Sequence, residues 1–566
     1  MRNLNSFSAG IPESGVCYET IELLCKPDTL FVEIHTPDNQ VHRQYPFRYQ
    51  PIHITYLETG VEQVSSMGDL QLHIRYTPTC EGVHTLFACT DNCREFWGTC
   101  NVSAGNSHGY VGVSKKDPRY FAYTDGTAFL PLGINLCWPT MRRESDGTEY
   151  GRAHNWTHGG LKQYEEWMQA LAKNGCNLIR IWAGIDYLCP ETENAGKFDY
   201  KKFTILDTLF ALAEKYDIKI KLTLDQFRYF DYSDEPIQDE WTDFVHGLVS
   251  KKLYADGERC EDMTAFFTEK KWKDLWLLKV REYALRYGTN PHLFAIELWN
   301  EINAVHHRSI RDLLDWCLEM APKVQELFPN TMIINSLGSL CSASDNHYYQ
   351  AFPYNAFSFR QVHRYLDMGA EWDICKSDML SLAADGVNHL QTKDCPVFLA
   401  ETGAVEPNHS GPFKYYRNDH RGILFADSVY TPLFVGAAGS GNIWHWDDYV
   451  ENKNLFSLFQ PLAKLTQGIS FDTQNFVCSS QDTGNAHVLL LEGENYILGY
   501  VRNKQDNWKY TLRDKYCPEP IDVTIPITSS GKLTVYPLWE SFPVSEATDS
   551  ICFHQMHYGA LFRIDK

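Results

Sequence analysis

Two changes of pattern along the chain predict a multidomain fold: a central (β/α)8 TIM barrel flanked by N-terminal and C-terminal β-sandwich domains. Residues 1–118 carry short alternating runs such as Thr29-Leu-Phe-Val-Glu-Ile-His35 and Asp69-Leu-Gln-Leu-His-Ile-Arg-Tyr76, divided by Pro, Gly and Asn/Asp turns. That is the pattern of antiparallel sheets packed face to face. Over residues 119–470 strands alternate with amphipathic helices, the pattern of a parallel α/β domain. Residues 471–566 return to strands, for example His487-Val-Leu-Leu-Leu491 and Tyr496-Ile-Leu-Gly-Tyr-Val501.

Eight strands are predicted in the central domain: Phe129–Asn135, Asn177–Trp182, Ile218–Leu224, Phe294–Trp299, Met332–Asn335, Ala356–Phe359, Val397–Ala400 and Asn442–Trp446. Helices such as Gly160–Lys173, Phe203–Lys215 and Trp272–Tyr287 fall between them. Eight βα units in this length of chain match a TIM barrel with generous loops. The longest excursion, Gln226 to Lys271, follows the third strand and carries Phe227, Tyr229, Phe230, Tyr232 and Trp241. A long aromatic loop on that face is expected to wall the substrate cleft.

Composition narrows the function. The 566 residues are too many for one core. A formal net charge of −21 argues against a nucleic-acid partner. Aromatic residues make up 14%, including 15 Trp and 32 Tyr, and suit the apolar faces of sugar rings as well as large cores. No run approaches the roughly 18 apolar residues of a membrane span. Met1 to Gly10 has no apolar core, so no secretory signal is expected. With seventeen scattered cysteines, the expected location is cytoplasmic. Cys80, Cys89, Cys93 and Cys100 match none of the common structural zinc spacings. No Gly-rich phosphate loop follows a strand and Gly-x-Ser-x-Gly is absent, which disfavours nucleotide and α/β-hydrolase chemistry. Adjacent His306 and His307 point apart on any regular element and read as loop or helix surface. No metal or other cofactor is expected.

Two apolar runs end on acids. Leu293-Phe-Ala-Ile-Glu-Leu-Trp-Asn-Glu-Ile302 delivers Glu301, and Pro396-Val-Phe-Leu-Ala-Glu-Thr-Gly403 delivers Glu401. Two carboxylates at the mouth of a barrel are the minimum equipment for cleaving a glycosidic bond. Glu297, also on the fourth strand, reads as a structural partner deeper in the barrel.

These positions, with Arg180 in Asn-Leu-Ile-Arg-Ile-Trp182, His363-Arg-Tyr365 and Trp444/Trp446 in Ile-Trp-His-Trp-Asp-Asp448, resemble the clan A, or four-seven, superfamily of retaining TIM-barrel glycoside hydrolases. Phe266-Phe-Thr-Glu, Leu285-Arg-Tyr-Gly-Thr-Asn-Pro291 and Phe121-Ala-Tyr-Thr-Asp-Gly-Thr-Ala-Phe-Leu-Pro-Leu-Gly133 extend the likeness. The last of these resembles members with a β-sandwich ahead of the barrel. The resemblance implies Glu301 as acid/base and Glu401 as nucleophile. Arg180 and Tyr365 would bond to the nucleophile, Asn300 to the sugar 2-hydroxyl, and Trp444 or Trp446 would floor the sugar site. His363 enters with the His-x-Tyr motif. The expected substrate is an oligosaccharide or glycoside, cleaved from chain ends. An endo-acting mannanase- or glucanase-like enzyme and a non-catalytic carbohydrate-binding protein are the alternatives.

Overall fold

The computed structural model describes residues 10–58, 60–139, 159–226, 229–230, 232, 250–305 and 308–566. Phe227, Trp241 and the pair His306–His307 lie outside the described residues, as does part of the Gln226–Lys271 excursion.

The N-terminal part holds a five-stranded sheet, in the order Ser14–Val16, Arg94–Ser103, Gly82–Cys89, Phe31–His35, Val41–Gln44. A three-stranded sheet runs Ile21–Cys25, Gln71–Tyr76, Phe47–Tyr49. Alternation places Val32 and Ile34 inward, and they share one buried cluster with Leu86 of the neighbouring strand and Leu23 and Ile74 of the three-stranded sheet.

The central strands are β1 (Gly133–Asn135), β2 (Leu178–Trp182), β3 (Lys219–Thr223), β4 (Leu293–Glu297), β5 (Met332–Ile334), β6 (Arg360–Asp367) and β7 (Val397–Val405). Each is followed by a helix: α1 (Gly160–Lys173), α2 (Tyr200–Tyr216), α3 (Lys270–Tyr287), α4 (Ile310–Leu327), α5 (Ala343–Ala351), α6 (Met379–Leu390) and α7 (Ile423–Phe434). β1 to β5 pair in parallel, and so do β6 and β7. An eighth segment around Ile443 joins the ends: Ile443 bridges Thr402 of β7, and its carbonyl accepts from the Asn135 amide of β1 at 3.3 Å. Between β5 and β6 the link is two single bonds, Ser358 N to Ile333 O and Leu340 N to His363 O, each 2.9 Å. This is the ring of a TIM barrel.

Three expectations need correction. The first strand is split. Ala128–Phe129 belongs to a small sheet with Val111–Val113 and Phe121–Tyr123, while Gly133–Asn135 enters the barrel. Pro131, with no N–H to give a ladder, sits at the break. The sixth strand is Arg360–Asp367 rather than Ala356–Phe359. Its polar residues are buried against partners from neighbouring strands, so hydropathy hides it. The eighth yields one bridge residue rather than a strand over Asn442–Trp446, because His445 is left-handed (φ 54) and turns the chain into the helical segment Trp446–Glu451.

The small sheet plugs the barrel end opposite the mouth. Phe121 meets the rings of Phe294, Phe359 and Phe398 at 5.2–5.7 Å. At the other end, the N-terminal hairpin Ile52–Tyr56/Glu62–Ser66 reaches the start of α1. Buried Glu62 accepts from Leu161 N at 2.7 Å, Tyr187 Oη at 2.7 Å and Tyr56 Oη at 2.9 Å. α1 has no side-chain cap of its own, so this carboxylate supplies the acceptor at the positive helix end. Gly160 must be glycine here: its φ is +52, and a Cβ would run into that carboxylate. Glu62→Ala is expected to strand three donors and lower stability by about 2–4 kcal/mol, read as an earlier thermal transition. An unchanged transition would mean the staple is solvent-replaceable.

C-terminal strands form a five-stranded sheet, in the order Val477–Asp482, Ala486–Glu492, Tyr496–Asn503, Gly559–Asp565, Lys532–Leu538. A three-stranded sheet runs Ile521–Pro526, Ser550–Met556, Val544–Glu546. Val488, Val501, Val523, Phe553 and Phe562 share its core. Its joint to the barrel is both apolar and ionic: Leu489, Leu491, Leu498 and Leu561 join the barrel's buried cluster, and Arg502 and Tyr500 both donate to buried Asp427 of α7. Among the described residues no helix is long and apolar enough to cross a membrane.

Candidate active site

At the mouth of the barrel, polar side chains from six strands converge. β4 ends at Glu297, and the chain continues through Leu298, Trp299 and Asn300 to Glu301, which is left-handed (φ 49) and whose amide is held by Ser336 Oγ at 3.0 Å. The turn swings the Glu301 carboxyl over the axis. Glu401 lies within β7, in register with His363 of β6. One carboxylate oxygen each from Glu301 and Glu401 and a ring nitrogen of His363 lie within 4.8 Å of one another.

Their partners differ. Glu401 accepts from Arg180 at 2.6 Å on Oε2 and from Tyr365 Oη at 2.7 Å on Oε1. The Glu301 carboxylate is instead paired with a ring, His363 Nδ1 at 2.7 Å from Oε1. Burial first, and then the negative charge of Glu401, push the Glu301 carboxyl above the ordinary range, against the pull of His363. Such a group favours folding while it is protonated, and that contribution is lost as pH rises through its raised pKa. Glu301→Gln should therefore raise the melting temperature at neutral to alkaline pH, with the gain vanishing at acid pH. A gain of equal size at both pH values would contradict the electrostatic origin.

Arg180 is the hub. Fully buried, it also binds Glu297 (Nε–Oε2 2.8 Å), Asn135 Oδ1 at 3.3 Å and Asn300 Oδ1 at 2.5 Å. Burial alone would raise the Glu297 carboxyl, but Arg180 and then Lys221 hold it down at about 2. Burial, with Arg180 nearby, drops Lys221 to about 7; its ammonium donates to Gln361 Oε1 at 2.9 Å. The Asn300 carboxamide is oriented by Arg180, which leaves its buried Nδ2 without a partner among the described residues; His363 Nε2 is in the same state. Buried donors without partners are rare and mark positions that a ligand can satisfy.

The structure brings together Glu301, Glu401, Arg180, Asn300, His363 and Tyr365. Tyr365 and His363 lie inside β6, not after it. Trp444 and Trp446 are at the same rim, their rings 5.0 Å apart; Trp446 is buried and Trp444 half-buried. Sequence reasoning missed Trp138 and Trp182, which complete the aromatic group. Trp138 lies 4.8–5.4 Å from each of the other three. An aromatic just past the first barrel strand, before Pro139, was the available signal.

Glu301, His363 and Glu401 have the donor chemistry of a cation site. The fit fails on electrostatics, because the Arg180 guanidinium already holds Glu401 Oε2 and Tyr365 holds Oε1. The four N-terminal cysteines do not converge on one another or on histidine as a metal group among the described residues.

Carboxylate oxygens within 4.8 Å of each other are closer than the roughly 6.5–9.5 Å that admits an attacking water, a spacing that suits double displacement. Residues 143–426, half of the chain, match the family model of cellulase (glycosyl hydrolase family 5). The chain belongs to glycosyl hydrolase family 5. That family belongs to the retaining clan A of glycoside hydrolases. Two relatives from Arabidopsis thaliana are similar over shorter stretches. Mannan endo-1,4-β-mannosidase 5 is 27% identical over 165 residues, 29% of this chain and 37% of that one. A protein assigned as mannan endo-1,4-β-mannosidase 4 is 24% identical over 247 residues, 40% of this chain and 53% of that one. The match thus spans about half or less of each relative. A crystal structure of a protein from Bacteroides vulgatus assigned to the glycoside hydrolases shares the fold, at 13% identity and TM-score 0.55, covering 97% of this chain and 99% of that one.

Proposed function

We propose that this family 5 member is a retaining β-glycosidase that removes β-mannosyl units from the ends of oligosaccharides. Glu401 is the nucleophile and Glu301 the acid/base. The observation that carries the assignment is the asymmetry of the pair. Glu401 accepts from a guanidinium and a phenol, as a carboxylate does, while Glu301 sits in the setting that keeps a carboxyl protonated. Glu301 protonates the departing oxygen as Glu401 attacks the anomeric carbon. Glu301 then draws the proton from the water that releases the sugar. Asn300, with Oδ1 fixed on Arg180, offers Nδ2 to the 2-hydroxyl. His363 holds Glu301, and Trp444 with Trp446 and Trp138 forms the ring platform.

Mannose is proposed from the activity named for the two Arabidopsis relatives. End-wise action is supported by the rim. The Glu62 hairpin braces the start of α1, and Trp508 of the C-terminal part packs on Phe413 and Tyr415 beyond β7 while donating to Ser377 O at 2.7 Å. Helix starts and βα loops lie at the mouth of such a barrel, so both flanks narrow it. We assign three domains, 1–118, 119–470 and 471–566, the outer two as β-sandwiches. A cytoplasmic location is supported by all seventeen cysteines being free. The named relatives favour a second reading, an endo-mannanase. Time courses on a reduced mannooligosaccharide series separate the two. Single units from one end are expected, and early mid-chain products would favour the second. A carbohydrate-binding protein without turnover would leave aryl β-glycosides intact.

A further inference from the structure

Beside the carboxylate pair stands a second hydrogen-bonded relay that glycoside cleavage does not use. Ser339 Oγ lies 3.1 Å from His409 Nε2, and His409 Nδ1 lies 3.0 Å from Asp367 Oδ2. Asp367, at the end of β6, is buried and fixed by two backbone amides, Gly369 N at 2.7 Å and Asn408 N at 3.0 Å. His409 and Asn408 are both left-handed (φ 57 and 60), so the loop beyond β7 holds the imidazole in a conformation that unconstrained chain avoids. The imidazole stands edge-on to Tyr365, at 4.9 Å between ring centres, and half-exposed at the mouth.

We propose that Ser339, His409 and Asp367 form a second catalytic centre, an acyl-ester hydrolase acting on O-acylated sugars held at the barrel mouth. A triad is recognised by roles and geometry rather than by chain order, and here each nitrogen faces the group its role requires. His409 hydrogen bonding and two amides outweigh burial and hold Asp367 below the ordinary range. The imidazole proton therefore sits on Nδ1, and Nε2 is free to take the Ser339 proton. Asn303 supplies the remaining part. Its Oδ1 accepts from Gly338 N at 2.7 Å, and its NH2 lies beside Gly338 with no hydrogen bond to a described residue. That amide, bound to the residue before Ser339, is the oxyanion donor the proposal requires. A Cβ on Gly338 would stand 3.8 Å from the Glu301 carboxyl carbon, so Ser339 directly follows a residue that borders the acid.

The chemistry balances. Ser339 Oγ attacks the ester carbonyl as its proton moves to His409; the C–O bond to the sugar breaks, and the sugar hydroxyl leaves with that proton. Water then hydrolyses the acyl-serine, His409 again relaying the proton, to give the carboxylic acid and free Ser339.

The test compares the full chain with Ser339→Ala and His409→Gln on 4-nitrophenyl acetate and on an O-acetylated mannooligosaccharide, with an aryl β-mannoside as control. Ester hydrolysis is expected to fall at least about 100-fold in both variants, while Ser339→Ala keeps the glycosidase rate. Fluorophosphonate labelling should place the adduct on Ser339. Equal esterase rates in wild type and Ser339→Ala would overturn the proposal. So would a label on another residue, or a raised KM for the aryl mannoside with no ester hydrolysis, which would make the trio a sugar contact. Cleavage of the aryl ester alone would overturn the sugar-ester assignment. Loss of glycosidase activity in wild type would count against the function above, not against this centre.

Discussion

Glu401→Gln is expected to lower turnover of every glycoside by roughly 10⁵-fold or more, because an amide is a poor nucleophile and no other carboxylate among the described residues is placed to replace it. Glu297 is the nearest rival, and it is held deeper in the barrel by Arg180 and Thr223. Glu301→Ala should behave differently. Its loss should be small for leaving groups that need no proton and large for sugars. Azide should partly restore that variant by attacking the glycosyl-enzyme, yielding a β-glycosyl azide. Equal losses on all leaving groups, without rescue, would overturn the division of roles. Rates on a graded series of aryl glycosides measure it.

The second large effect is on stability. Arg180→Met removes the one cation that both Glu297 and Glu401 touch inside the barrel. Breaking a buried ion pair on one side typically costs about 3–5 kcal/mol, since the remaining charge stays desolvated. The pH dependence identifies the cause. Glu297, lowered from 4.5 to about 2, contributes stability above its unfolded value and loses it as pH falls toward about 2. The gap between wild type and Arg180→Met should therefore be widest near neutrality and narrow through that window. A gap independent of pH would mean that the arginine acts by volume rather than by charge.

Much of the barrel was legible because its strands are buried on both faces. Leu178–Trp182 and Leu293–Glu297 are nearly continuous apolar runs, whereas Lys219–Thr223 alternates lysine with isoleucine and leucine although every residue of it is buried. Glu301 and Glu401 were legible for the same reason, as charges that stop such a run. Legibility fails where polar groups are buried against one another. β6 reads Arg-Gln-Val-His-Arg-Tyr-Leu-Asp and is buried almost throughout, because Gln361, His363 and Tyr365 bond to Glu297, Glu301 and Glu401 on other strands. No local pattern reveals partners tens of residues away. The end of the eighth strand was misread because a left-handed histidine is unusual, and only the backbone discloses it. Trp138 and His409 belong to loops, whose direction sequence periodicity does not encode.

The most direct test of the central claim is the identity of the covalent intermediate. A 2-deoxy-2-fluoro-β-mannosyl fluoride should inactivate the enzyme stoichiometrically, and peptide mass mapping should place the sugar on Glu401. Glu301→Ala should still be labelled, because fluoride leaves without a proton. A sugar on any residue other than Glu401, or release of the α-anomer as first product from a β-mannoside, would contradict the account.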